Sequence, residues 1–207
     1  MTVTDISKTK KGRYALFADG EFLFSIHKDS FFRTKLAVGN VMTEEELEEL
    51  RLEDEFISAK ETALNILSRA AQSSGILREK LARYYGEEAV ERTLARMAEL
   101  GLLDDRDYAT RFASDCVKLR GYSMQRLRQA LWQKKLPPEA IEAGMAQFED
   151  RDEIEPIIAI LLKKYRAQIF DAEGLRKTIA AMQRRGFSYG DIKAALDRIE
   201  EEELYLE

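Results

Sequence analysis

The stretch LRQALWQKKLPPEAIEAGM, residues 127–145, carries the pattern that decides the fold. Its main apolar positions follow one another at steps of four, five, five and four residues, and they are Leu127, Leu131, Leu136, Ile141 and Met145. A step of four keeps two side chains on one face of a helix. The proline pair in the middle suits the start of a helix and disrupts a helix interior. The stretch therefore predicts a helix, a tight turn and a second helix that packs back on the first.

The same spacing occurs twice more in the chain. A shift of 51 residues gives Thr178, Met182, Phe187, Ile192 and Leu196, and a shift of about 50 the other way, with one residue deleted, gives Leu77, Leu81, Tyr85, Val90 and Leu94. A further helical stretch precedes each pair. Stacked repeats of this kind pack in series because a single unit cannot bury its own core. We expect an elongated monomer of three tandem three-helix repeats, residues 58–104, 105–150 and 151–207, the last with an acidic tail.

The first 57 residues have a different pattern. Alternating apolar residues flank Asp19-Gly20, a dipeptide that tolerates the positive φ angles of a two-residue hairpin turn. Residues 3–6 suggest a third strand, and residues 29–37 suggest a short helix. The predicted fold class is mainly α, with a small β-hairpin-containing domain, residues 1–57, before the helical repeats.

Two capping-box spacings mark predicted helix starts. Thr43 with Glu46 opens an acidic helix over residues 44–55, in which eight acids stand against one arginine. Ser58 with Glu61 repeats the spacing and predicts the first helix of the first repeat.

The supply of reactive side chains limits the chemistry. The chain has one histidine, His27, and one cysteine, Cys116, so the usual nitrogen and sulfur ligands of zinc cannot be assembled. His27 lies in an alternating, strand-like stretch, which favours an edge-strand histidine over a catalytic triad. Neither a GxxxxGK[ST] phosphate loop nor a GxGxxG motif occurs. We expect no enzymatic activity, no cofactor and no metal site.

The sequence also predicts where the protein works. No apolar run approaches the ~20 residues that span a bilayer, and the opening residues lack the apolar block of a signal peptide. A single cysteine fits a reducing compartment. We expect a cytoplasmic protein without membrane contact.

Charge is unevenly distributed along this chain of net charge −5. Residues 106–136 carry eight positive and two negative charges, and residues 163–185 carry seven and two. Separated charge is typical of a protein with two functional surfaces. The residues that we expect to contact a partner are Arg120, Arg126, Arg128, Trp132, Lys134, Lys135, Arg176, Lys177, Arg184 and Arg185.

Trp132 indicates what kind of partner this surface meets. It lies four residues after Arg128. If both residues are in one helix, the Arg128 guanidinium can lie over the Trp132 indole ring. Arginine and tryptophan are enriched at hot spots of protein interfaces. In the alternative interpretation, Trp132 fills a gap against a neighbouring helix and the arginines are solvated.

Several segments resemble the RecX family of recombinase regulators. They are LGLLDDRDYATRF (100–112), LRGYSMQRLRQALWQKKL (119–136) and MQRRGFSYGDIKAAL (182–196), and the likeness covers roughly residues 58–200. VTDISKTKKGRYALFADGEFLFSIHKDSF (3–31) is similar to the N-terminal extension of some members. Lys135 departs from the family, which usually has a glycine in this turn.

The resemblance implies a non-enzymatic modulator, usually an inhibitor, of the RecA recombinase. Such proteins bind the groove of the RecA–single-stranded DNA filament and act in homologous recombination, DNA repair and the SOS response. The residues themselves leave an alternative open, a protein that binds DNA weakly and competes with the recombinase for it. A nuclease is disfavoured because the acids lie away from the basic segments.

Overall fold

A computed structural model of the chain describes the backbone of residues 1–204 and the side chains of residues 1–201. The chain divides into two units, unit 1 (Met1–Asp104) and unit 2 (Asp105–Glu207). The end of the predicted acidic tail lies outside the described residues.

Unit 1 begins with a three-stranded antiparallel sheet. Its strands are β1 (Val3–Lys8), β2 (Tyr14–Ala18) and β3 (Glu21–Ile26), in the order β1-β2-β3. Asp19 and Gly20 join β2 to β3 with φ angles of 50° and 87°. Both angles are positive, as a two-residue hairpin turn requires, so the predicted hairpin is confirmed. The predicted third strand is confirmed as β1.

Two helices follow the sheet, α1 (Lys28–Thr34) and α2 (Glu44–Leu67). The capping box of Thr43 and Glu46 at the start of α2 is confirmed. The second predicted helix start, at Ser58 with Glu61, is wrong. Helix α2 has 24 residues and continues through Ser58 without interruption. No glycine or proline interrupts residues 44–67, so the backbone hydrogen bonds continue where the spacing suggested a new start. The boundary predicted between residues 57 and 58 therefore falls inside a helix.

Unit 1 ends with α3 (Ser74–Leu81) and α4 (Glu87–Glu99), which pack on the C-terminal half of α2. Unit 2 contains α5 (Asp105–Lys118), α6 (Met124–Gln133), α7 (Pro138–Ala146), α8 (Ile154–Lys164), α9 (Ala172–Arg184) and α10 (Tyr189–Leu204). The last six helices form two successive three-helix groups, each with its own apolar core.

The repeat pattern matches the observed cores. All fifteen positions of the three matched sets are buried except Tyr85 and Leu196, which are half-buried. The deletion in the first set also has a structural counterpart: α4 begins six residues after Leu81, whereas α7 begins seven after Leu131 and α10 seven after Met182. The mainly helical fold with a small N-terminal sheet is thus confirmed, while the domain boundaries and the elongated arrangement stay predictions. Within residues 1–204, no helix combines the length and the apolarity needed to cross a bilayer.

Asp54 connects the sheet of unit 1 to its helices. Its carboxylate accepts hydrogen bonds from the Arg13 guanidinium (2.5 Å), the His27 backbone N–H (2.5 Å) and the Ser30 hydroxyl (2.7 Å). Arg13 also donates to the hydroxyl of Ser58, inside α2 (3.0 Å). A buried carboxylate is stable only when it is paired and hydrogen-bonded. This network therefore fixes the position of α2 under the sheet.

His27 has a structural role in the same region. It is the N-cap of α1, and its Nδ1 accepts a hydrogen bond from the Asp29 N–H (3.2 Å). Its Nε2 lies 2.9 Å from the Glu61 carboxylate. Because Nδ1 accepts, the ring proton lies on Nε2 and is donated to Glu61. Both ring nitrogens are thus engaged at a helix start directly after β3, whereas the strand-like sequence pattern favoured a place in an edge strand.

Removing the charge of Asp54 should destabilise unit 1. We expect Asp54→Asn to lower the free energy of unfolding by about 3 kcal/mol, because the Arg13 guanidinium loses its buried counter-charge. Urea unfolding followed by circular dichroism measures the change. Glu48→Gln, an exposed position on the same helix, should cost less than about 0.5 kcal/mol. Equal small effects of the two variants would show that the network does not stabilise the fold.

Candidate functional site

The basic stretch at residues 119–136 forms a turn followed by α6, and Ser123 is the residue that starts the helix. The Ser123 hydroxyl is buried, accepts a hydrogen bond from the Arg126 N–H (3.2 Å) and donates one to the Arg185 carbonyl (3.1 Å). The first bond caps α6. The second satisfies a carbonyl at the end of α9. One hydroxyl therefore joins the start of α6 to the end of α9.

Gly186 allows this approach. Its φ angle is +88°, and a Cβ atom at this position would lie 2.5 Å from the Ser123 Oγ and 3.1 Å from the Arg126 Cβ. Only glycine fits both the left-handed conformation and the close approach. The contact brings the backbone of Arg126, in α6, beside Gly186, which directly follows the C-cap residue of α9. The start of α6 and the end of α9 thus meet at one place, which we call the junction (residues 120–126, 151–153 and 185–186).

Tyr122 orients two of the predicted contact residues at the junction. The Arg126 guanidinium lies over the Tyr122 ring, 4.2 Å from its centroid. A side-chain hydrogen bond with Tyr122 raises the pKa of the exposed Arg120. The sequence contained a signal for the first contact, since Tyr122 and Arg126 lie four residues apart.

Arg128 does not pair with Trp132 as we predicted. Its guanidinium donates instead to the Glu142 carboxylate of α7 (2.6 Å), because the acid on the facing helix offers a charge-assisted hydrogen bond. Trp132 is 58% exposed, so it does not fill a gap between helices either. The indole is a large apolar group on the surface of unit 2.

The end of α6 carries two further predicted residues. The Lys134 ammonium lies 5.1 Å from the centroid of the Phe112 ring, which stacks on Tyr108. Lys135 has a φ angle of 54°. The lysine therefore adopts the left-handed conformation that glycine takes most readily.

The cations of α9 lie apart from most of those of α6. Arg176 and Lys177 are exposed in the first turns of the helix, where Lys177 pairs with Glu173 (2.7 Å). Arg184 is exposed at the other end, near the junction. At 1.5 Å per residue, the end of α6 at Gln133 lies ~10 Å along the helix from Arg126. The structure thus places most of the predicted residues at three locations: the end of α6, the junction and the start of α9. Arg128 lies between the first two, paired with Glu142.

Glu153 is a junction residue that the sequence analysis did not identify. One oxygen accepts a hydrogen bond from the Met124 N–H (3.2 Å), at the start of α6. The other is buried without a hydrogen-bond partner among the described residues, although the Arg151 guanidinium lies 3.7 Å away. Burial raises the pKa of Glu153, and the neighbouring acids Asp191 and Asp152 raise it further. No spacing rule could have shown this, because Glu153 is 29 residues from its hydrogen-bond partner.

Two kinds of reactive site can be assessed from the described side chains, a metal site and a reactive thiol. Among residues 1–201, no group of three or more His, Cys, Asp or Glu side chains could hold a metal ion. Cys116 is fully buried, and burial raises the pKa of its thiol, so the reactive thiolate is disfavoured.

Comparison with known proteins identifies the family. The family model described as "RecX, first three-helix domain" matches residues 59–97, and "RecX, second three-helix domain" matches residues 104–145. "Regulatory protein RecX" of Clostridioides difficile (strain 630) is 28% identical over 201 residues, which cover 95% of each chain. These matches support a RecX family protein. "Regulatory protein RecX" of Streptococcus pneumoniae (strain CGSP14) is also 28% identical, over 97% of this chain and 78% of the relative.

Solved structures share the RecX fold. "Crystal structure of regulatory protein RecX" superposes with a TM-score of 0.67 and 23% identity, covering 95% of this chain and 98% of that chain. "Crystal structure of RecX from Lactobacillus salivarius" has a TM-score of 0.63 and 18% identity, covering 72% of this chain and 98% of that chain. At these identities the likeness concerns the fold.

The junction should be sensitive to a single methyl group at Gly186. We expect Gly186→Ala to lower the free energy of unfolding by about 3 kcal/mol, since the left-handed backbone and the clash with Ser123 both add a cost. Gly121→Ala is the matched control in the same unit, because its φ is +62° and only one atom lies within 4 Å of a Cβ. It should cost about 1 kcal/mol. Chemical denaturation measures both, and equal values would show that Ser123 does not approach Gly186 closely.

The raised pKa of Glu153 predicts a pH effect. In the folded state the proton is held more tightly than in the unfolded chain, so the ionised form lowers stability above the folded pKa. This cost should disappear as the pH falls through that pKa towards the unfolded value. We expect Glu153→Gln to stabilise the protein at pH 7, with a gain that shrinks on acidification. Urea unfolding across this pH range measures it, with the exposed Glu139→Gln as control, and a gain independent of pH would contradict the prediction.

Proposed function

We propose that this RecX family member is a non-enzymatic regulator, an inhibitor, of the RecA recombinase, and that it acts as a cytoplasmic monomer. It binds the RecA–single-stranded DNA filament in homologous recombination, DNA repair and the SOS response. The contact is made by the exposed cations of α6 and α9 together with Trp132. The observation that carries this proposal is the exposed indole of Trp132 in a cationic surface.

Trp132 favours a protein as the main partner. A tryptophan can bury ~150–250 Å² when an interface forms around it, and such residues dominate the binding energy of protein complexes. Arg128 lies on the same helix already paired with Glu142. A partner that approaches here meets both signs of charge. This suits a protein surface with its own acids and bases better than a row of phosphates.

The repeat also favours a polymeric partner. Arg126 and Lys177 occupy equivalent positions of two successive repeats, as do Lys134 and Arg185. Equivalent side chains on successive repeats can make equivalent contacts with a partner whose own surface repeats. A recombinase filament offers repeated protein surfaces beside repeated phosphates.

A second candidate function is competition for DNA. The junction favours it, because the guanidinium groups of Arg120 and Arg126 both contact the Tyr122 side chain and neighbouring arginines bind phosphate well. The net charge of −5 counts against tight binding to bare DNA. Such binding would also weaken steeply with salt. For each phosphate contact, the logarithm of the binding constant falls by about 0.9 when the salt concentration rises tenfold.

Trp132→Ala should weaken inhibition of RecA ATP hydrolysis and strand exchange at physiological salt. We expect a loss of ~2 kcal/mol, or about 30-fold in the half-inhibitory concentration, because a hot-spot contact is removed. Circular dichroism should show unchanged helicity. Phe22→Ala is the control, since Phe22 is 57% exposed but lies in unit 1, and it should inhibit like the wild type.

Charge-reversal variants, tested on bare and on RecA-coated DNA, distinguish filament binding from competition for DNA. Arg126→Glu should weaken binding to RecA-coated single-stranded DNA, whereas Arg106→Glu, an equal charge change at the exposed start of α5, should have little effect. Fluorescence anisotropy with bare and RecA-coated DNA at matched salt measures both. Equal affinity for the two substrates would favour competition for DNA. Folded Trp132→Ala and Arg126→Glu proteins that inhibit normally would exclude this surface as the contact.

A further inference from the structure

Unit 1 contains a groove that the proposed function does not use. It lies between residues 33–42, α2 and the first turns of α4, and its volume is about 670 Å³. Pockets that bind ligands commonly have volumes of about 300–1,000 Å³. The groove is therefore large enough to receive several side chains of a partner.

The floor and mouth of the groove are apolar. Leu36 and Leu50 are buried in its floor, and Met42 and Leu52 are half-buried beside them. Val41 lines the mouth and is 77% exposed. An aliphatic floor that ends in an exposed β-branched side chain is suited to contact with another apolar group.

The exposure of Val41 is fixed by its backbone. Val41 forms an isolated antiparallel bridge with Thr2. On either side of it, the Asn40 carbonyl accepts a hydrogen bond from the Val3 N–H (2.8 Å), and the Met42 N–H donates to the Met1 carbonyl (2.9 Å). These bonds hold the segment against the edge of the sheet. The side chain of Val41 is thus presented at the mouth of the groove by ordered backbone.

The charged residues of the groove have a negative excess, because four glutamates stand against two arginines. Glu53 accepts hydrogen bonds from Arg33 and Arg92, both at 2.6 Å. Burial opposes the ionisation of Glu53, but these arginines outweigh it and hold its pKa below the usual value. The two cations are therefore already engaged by an ionised acid. The exposed Glu46 and Glu49 give the remaining rim its negative charge.

We propose that this groove binds a basic, apolar segment of another protein. An aliphatic or aromatic side chain of that segment enters beside Val41, and flanking lysines or arginines pair with Glu46 and Glu49. The charge of the groove selects this partner, since phosphates would be repelled by the rim. The site is independent of the proposed contact with a recombinase filament, because it lies in unit 1 and uses none of the residues of α6 or α9.

Labelled peptides test the proposal on the full-length protein. Fluorescence anisotropy compares three short fluorescein-labelled peptides, composed of Lys and Leu, of Lys and Ser, and of Glu and Leu. The Lys/Leu peptide should bind at least about tenfold more tightly than the other two, because the groove requires both charge and apolar surface. Equal binding of the Lys/Leu and Lys/Ser peptides would contradict a role for the apolar floor and overturn the proposal.

Matched variants locate the binding. Glu49→Lys and Val41→Asp should each weaken binding of the Lys/Leu peptide at least about tenfold. Glu45→Lys makes the same charge change at an exposed position of α2 outside the groove, and it should weaken binding less than about twofold. Thermal unfolding verifies that the variants fold. An equal effect of Glu45→Lys and Glu49→Lys would show general charge attraction and overturn the proposal.

Two further measurements address other occupants. If a single-stranded oligonucleotide displaces the peptide from the wild-type protein, the groove binds nucleic acid and the proposed partner is wrong. If sedimentation velocity shows self-association that Glu49→Lys abolishes, the occupant is a second copy of this chain, and the proposal is wrong in that respect. A monomer at all concentrations, with peptide binding that the oligonucleotide does not affect, supports the proposal.

Discussion

The reversal of the chain between the second and third helix of a repeat is the constraint on which unit 2 depends. At Lys135 and Gly186 the backbone takes a positive φ, and the next residue, Leu136 or Phe187, is buried immediately afterwards. The left-handed residue ends one helix and redirects the chain within a few positions. The following helix can then cover the apolar face of the preceding one. In unit 1 the equivalent connection is one residue shorter, and α4 begins after Gly86 with an ordinary negative φ.

The turn at Gly186 also determines where the third repeat contacts the second. Lys135 carries a side chain at its left-handed position, whereas Gly186 cannot, because the hydroxyl of Ser123 occupies the space that a Cβ would need. Both turns have a left-handed residue, but only the turn at 186 requires that this residue be a glycine. The contact at Gly186 joins α6 to α9 and places Arg126 at the join, beside the ring of Tyr122. In this RecX family member, the repeat packing itself organises part of the cationic surface.

The acids of α2 divide into an internal and an external set. Glu53, Asp54 and Glu55 pair with arginines or with backbone N–H groups inside unit 1. They stabilise the fold and add little to the surface potential. The exposed acids, which give this side of unit 1 its negative charge, are Glu44, Glu45, Glu46, Glu48 and Glu49. A run of eight acids and one arginine is thus less negative at the surface than its composition indicates, and its external charge lies beside the apolar groove.

The sequence by itself determined the features that follow from local rules. Helical periodicity gave the repeat register, the tolerance of Asp19-Gly20 for positive φ gave the hairpin, and Thr43 gave the start of α2, because each depends on residues within a few positions of one another. The family resemblance rested on equally local motifs. Only the tertiary structure decided that Arg128 pairs with Glu142, 14 residues away, and that Ser123 meets Arg185, 62 residues away. It also decided that Ser58 lies within a helix, bonded to Arg13 of the sheet. Such partners are brought together by packing. The spacing of residues along the chain does not show which of several compatible charges or hydroxyls will lie next to a given side chain.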